Sequence, residues 1–70
     1  MTPNAGHLPP ECEILDTDGN VTGHRAVMVK LFNGSEFGPV PSAGGRPNPT
    51  NWSIRKGSPH PFDIEFWEIV

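Results

Sequence analysis

The stretch Ala26-Val27-Met28-Val29-Lys30-Leu31-Phe32-Asn33-Gly34-Ser35-Glu36-Phe37-Gly38-Pro39-Val40 decides the fold. Val27, Val29 and Leu31 recur at every second position with Lys30 opposed to them, which is the period of a half-buried strand, and β-branched residues suit its pleated surface. Asn33-Gly34 follows directly and is the strongest short-range hairpin signal. Glu36–Val40 is therefore expected to return as a short strand, confined to a sheet edge by Pro39 and Pro41.

On the C-terminal side, residues 42–50 are dominated by Gly, Pro and small polar residues and read as an exposed loop. Asn51–Lys56 regains a strand-like pattern with Trp52 and Ile54 on one face, and Gly57-Ser58-Pro59-His60-Pro61 turns the chain. The run Phe62–Val70 alternates again. Phe62, Ile64 and Phe66 are assigned to the core face, and Asp63 and Glu65 to the wet face. On the N-terminal side, Cys12–Asp16 is a short run with an apolar centre, and Asp18-Gly19 supplies the turn of a first hairpin. Residues 1–11 carry Pro3, Pro9 and Pro10 and are expected to form a flexible arm ahead of a single small domain over residues 12–70. No segment has the length, helical period and freedom from Gly and Pro that a helix needs. The fold class expected is all-β: an antiparallel sheet of four to five strands with long Pro/Gly-rich loops.

Composition agrees with a small folded domain. The 70 residues include nine Pro and eight Gly, but also sixteen Leu, Ile, Val and Phe and two Trp, which lifts the chain above the range expected of disorder. A chain of this size buries only about 60% of its unfolded surface, so its stability is expected to be marginal. The single Cys12 allows no internal disulfide and no thiolate zinc cage.

Catalytic and metal chemistry find little purchase in the sequence. Asp16-Thr17-Asp18-Gly19-Asn20 starts like a calcium loop, yet Gly19 is fourth where the sixth position needs Gly, and Val27 stands where a bidentate Glu belongs. His7, Cys12, His24 and His60 form no recognised ligand spacing. There is no nucleophile elbow and no phosphate loop. Asp63 and Glu65, about 7 Å apart on one strand face, have a glycosidase-like separation but no cavity to enclose a sugar. No enzyme activity, cofactor or metal is expected.

Charge is segregated along the chain. Residues 1–24 hold Glu11, Glu13, Asp16 and Asp18 with no Lys or Arg, residues 25–56 carry a net +4, and residues 57–70 carry Asp63, Glu65 and Glu68. Two binding readings follow. Carboxylates that converge on one region attract a basic partner. Alternatively, Arg46, Arg55 and Lys56 with Trp52 provide the mixture of cation and aromatic that single-strand binders use.

Residues 27–70 resemble a group of small proteins encoded by phages and prophages. The resemblance is carried by the Val27-Met28-Val29 strand, the Asn33-Gly34 turn, the isolated Trp52 and the closing Phe62-Asp63-Ile64-Glu65-Phe66-Trp67. It implies a phage protein in the host bacterial cytoplasm, and some members are similar to anti-CRISPR proteins that present carboxylates in place of DNA phosphates. The function so implied is a non-catalytic, monomeric inhibitor with no membrane and no direct nucleic-acid contact. It would bind a basic nucleic-acid-binding groove of a host protein, such as a CRISPR effector complex, and block DNA recognition. Glu36, Asp63 and Glu65, supported by Glu68 and by Trp67 as an aromatic anchor, are the expected contact residues, with the acidic segment Glu11–Asp18 next in line. The alternative is a phage accessory protein that touches nucleic acid itself.

Overall fold

The computed structural model describes residues 1–44 and 49–70. Among the described residues, six strands form two antiparallel sheets: β1 (Thr2–Pro3), β2 (Glu13–Leu15), β3 (Val21–His24), β4 (Ala26–Leu31), β5 (Glu36–Pro41) and β6 (Ile64–Ile69). The larger sheet has the order β1-β6-β4-β5, and β2 and β3 form a separate two-stranded sheet. A single 3₁₀ turn, Pro10–Cys12, leads into β2.

The alternation in β4 is realised as read. Val27, Val29 and Leu31 point into the core beside Ile64, Trp67, Trp52 and Cys12, while Lys30 and Met28 lie on the other face, half-buried. Both hairpins close through the same device. The amide of Gly34 donates to the Leu31 carbonyl (2.9 Å) and that of Leu31 to the Ser35 carbonyl (2.8 Å); Gly19 to Asp16 (3.1 Å) and Asp16 to Asn20 (3.0 Å) repeat the pattern. Each loop is a turn followed by a glycine in the left-handed region, with φ of 89° at Gly34 and 82° at Gly19. The preceding Asn33 keeps negative φ. Its Oδ1 instead accepts the Ser35 amide at 2.9 Å.

β5 lies at the sheet edge, as Pro39 and Pro41 demand. Gly38 and Pro39 together oppose the single residue Met28, so the strand bulges there. Gly38 has φ 135°, and a Cβ at that position would sit 2.7 Å from the Val27 carbonyl oxygen. Only glycine lets the bulge approach β4 so closely.

Three expectations are corrected. β6 does not keep strict alternation: Leu31 pairs with Ile64 but Lys30 pairs with Phe66, leaving Glu65 as an extra residue. This bulge moves the following residues to the opposite face from the one that simple counting gives. Ile64 and Trp67 face the core, Phe66 is half-buried on the outer face, and Phe62, ahead of the strand, is 70% exposed. Residues 51–56 form no strand, although the larger sheet has four strands, within the expected four to five, with β2 and β3 as a second sheet. Trp52 is buried there as a plug: its indole N–H donates to the Ser42 carbonyl (2.8 Å) and its carbonyl accepts from the Asn4 side chain (2.9 Å).

The N-terminal residues are the third correction, because they are built into the domain. β1 pairs with β6, Leu8 packs against the core, and the Asn4 side chain is buried. The Asn4 amide donates to the carbonyls of Trp52 and Ile64 (both 2.9 Å), and its Oδ1 accepts the Gly6 amide (2.9 Å). One side chain thus joins three distant segments where the prolines leave the backbone few donors of its own.

Candidate functional site

Of the five residues expected at a binding surface, the fold brings Glu36 and Glu68 to the outer face of the larger sheet, beside Lys30 and Met28, and assigns Asp63 and Trp67 to other places. Asp63 lies in the turn before β6, where its Oδ2 accepts the amides of His60 (2.8 Å) and Arg55 (3.1 Å). The Arg55 and His60 backbone bonds hold its carboxyl below the ordinary range for an aspartate, as expected when hydrogen bonds favour the charged form. The same turn is closed by the Asp63 amide on the His60 carbonyl (2.8 Å) and by the Phe62 amide on His60 Nδ1 (3.1 Å). Asp63 therefore organises the loop from residue 55 to 63.

Glu65 is the half-buried bulge residue. Glu36 is exposed on β5 directly opposite Lys30, whose cation offsets its charge on that face. Glu68 is exposed beyond the bulge, across from Met28. Trp67 is no aromatic anchor. It is 5% exposed, pairs with Val29 in the centre of the sheet and meets Trp52 edge to face at 6.2 Å.

The cation-and-aromatic set fares no better as a nucleic-acid platform. Arg55 and Lys56 are exposed, but Trp52 is 6% exposed and offers no face to a base. Arg46 lies outside the described residues.

Glu11, Glu13, Asp16 and Asp18, with no Lys or Arg before residue 25, lie on the β2–β3 hairpin and the turn that leads into it. Glu11 is exposed on the 3₁₀ turn, Glu13 is half-buried in β2, and Asp16 and Asp18 are exposed in the connecting loop. Asp16 Oδ1 accepts the amides of Asp18 and Asn20 (both 2.9 Å), which holds the loop and fixes this carboxylate at the tip. In the register, Leu15 opposes Val21 and Glu13 opposes His24 on one face, while Ile14 opposes Gly23 on the other. Leu15 is 57%, Val21 47% and Ile14 39% exposed, so both faces carry uncovered aliphatic side chains. Sequence reasoning weighed the charge of this segment and missed its apolar surface, because a short run with an apolar centre does not tell whether another element covers its side chains.

Two further features lie elsewhere. A cleft of about 280 Å³ opens over the core side of β5, between Phe37, Val40, Pro41, Pro49 and the exposed Phe62. Cys12 is fully buried, and burial raises the pKa of its thiol, with the neighbouring Ser42 side chain pulling the other way. The Ser42 hydroxyl, also buried, has no hydrogen-bond partner of regular geometry. Among the described residues, no group of three or more His, Cys, Asp and Glu is placed to hold a metal ion, and no helix is long and apolar enough to cross a membrane. Comparison with protein-family models, with curated proteins and with solved structures finds no match to this chain.

Proposed function

We propose that this chain is a non-catalytic, phage-encoded inhibitor of host defence, anti-CRISPR-like, that occupies a basic nucleic-acid-binding groove of a host protein and so blocks DNA recognition. The observation that supports this reading is the β2–β3 hairpin and the turn before it, where Glu11, Glu13, Asp16 and Asp18 accompany exposed Leu15 and Val21 without a Lys or Arg before residue 25. Carboxylates on the same hairpin as exposed aliphatic side chains suit a groove evolved for phosphate: the carboxylates steer the encounter and take the place of phosphates, and the aliphatic side chains supply contact area that DNA lacks. The binding surface so proposed is the Glu11–Asp18 segment, with Glu36 and Glu68 as outlying contributors. Asp63 and Trp67 support the fold. The alternative of direct nucleic-acid contact through Trp52 loses its aromatic to the core.

The test is DNA loading by a purified host effector complex in the presence of the chain, comparing the wild type with E11Q/E13Q/D16N/D18N. Asparagine at position 16 keeps an acceptor for the loop amides. The expected result is that the wild type blocks loading and the neutralised variant, with an unchanged circular dichroism spectrum, blocks at least about tenfold less well at low salt, mainly through slower association. Unimpeded loading with the wild type, or salt-sensitive DNA binding by the chain alone, would overturn the reading.

A further inference from the structure

Every edge of the four-stranded sheet is interrupted by proline: Pro3 in β1, Pro39 and Pro41 in β5. Proline withholds the donor that an added strand needs, which is how natural sheets guard their edges. The hairpin has no such guard. Glu13–Leu15 and Val21–His24 contain no proline, and each of these strands is paired on one side only. The two outer edges differ: on β2 the Glu13 amide is taken by the Pro10 carbonyl, which leaves the Leu15 amide as the outward donor. β3 carries the extra residue Thr22, which bulges its edge, and is followed by Arg25, whereas β2 opposes it without an extra residue and is flanked by Glu11, Asp16 and Asp18.

From this asymmetry we infer that β2 is a docking edge for an extended, Lys/Arg-bearing segment of the partner protein, which adds as a third strand and covers Leu15 with its own aliphatic side chains. The charge of the hairpin selects this occupant. A second copy of the chain would bring the same carboxylates, Glu11, Glu13, Asp16 and Asp18, with no compensating Lys or Arg up to this edge, and like charges gathered there repel. A segment alternating cations with aliphatic residues satisfies both features of the edge at once: main-chain hydrogen bonds provide the ladder, and side chains on alternate faces meet the carboxylates and Leu15. A two-stranded sheet standing alone is of marginal stability, and a third strand relieves that condition. The inference rests on the acidic-hairpin reading above and specifies its partner.

The experiment titrates the isotope-labelled chain with an eight-residue peptide alternating Lys and Val, followed by amide NMR. The expected result is saturable shifts over residues 13–15 with slowed amide exchange at Leu15, whose amide faces the outer edge. The same peptide N-methylated on one edge, which keeps its charge but cannot extend the ladder, is expected to bind at least about tenfold more weakly, and a Glu/Val peptide should leave the spectrum unchanged. Equal binding of the N-methylated peptide, or shifts confined to β3 or to the four-stranded sheet, overturns strand addition and leaves the acidic-hairpin reading standing. Failure of the Lys/Val peptide to bind overturns the inference as well. Equal binding of the Lys/Val peptide to E11Q/E13Q/D16N/D18N removes the acidic reading itself.

Discussion

Single polar side chains hold much of this domain where ladders cannot. Asn4 donates to two carbonyls more than 45 positions away in sequence, from Trp52 and Ile64, and neither is replaceable by a backbone donor in that proline-rich setting. In Asn4→Asp the shape is kept and both donors are lost. Each carbonyl left unpaired costs about 1–3 kcal/mol, so a urea titration should show the midpoint falling sharply. Asp63 acts through its charge. Because backbone bonds lower its pKa in the folded state, the stability it contributes is fully present above the unfolded value of about 3.9, and is lost as pH falls through the lower folded value. Thermal melts from pH 7 down to pH 2 should therefore show Asp63→Asn losing less stability on acidification than the wild type. An equal loss would place the acid sensitivity elsewhere. Neither role was legible in the sequence: an asparagine among prolines reads as a turn residue, and an aspartate in an alternating run reads as a solvated face.

At the level of the element, one bulge decides which aromatic belongs to the core. With Glu65 as the extra residue, Trp67 packs beside Val29 and Trp52, and Phe66 lies half-buried across from Lys30. Trp67→Ala should cost about 3–5 kcal/mol, comparable with the whole stability of a domain this small, and leave little folded protein. Phe66→Ala, removing partly solvated surface, should leave a cooperative unfolding transition in urea. The reverse ranking would restore strict alternation in β6. The period-two pattern of Phe62–Val70 was legible, and so was a strand there; the register was not, because the bulge is set by how β6 pairs with β4 and not by any residue signal in β6.

For the molecule as a whole, the N-terminal residues and the loop carrying Trp52 complete the core that the larger sheet begins. Leu8, Cys12 and Trp52 cover the inner face of β4 and β6 from segments outside the ladder. Deletion of residues 1–11, harmless to a domain that starts at Cys12, is expected to abolish cooperative unfolding monitored by tryptophan fluorescence, since it removes β1, Asn4 and Leu8 together. A truncated chain that unfolds with the wild-type midpoint would return these residues to the status of an arm. By itself the sequence determined the all-β class, the core face of β4, the edge position of β5 and both glycine turns, because each follows from local sterics and from the two-residue period of a strand. Tertiary structure alone decided that Trp52 and Trp67 meet in the core, that Asp63 serves a turn, and that the aliphatic side chains of the hairpin holding Glu13, Asp16 and Asp18 stay uncovered. Those outcomes depend on which distant segments compete for the same small core, and burial of that kind is a property of the packed chain with no signature in any single stretch.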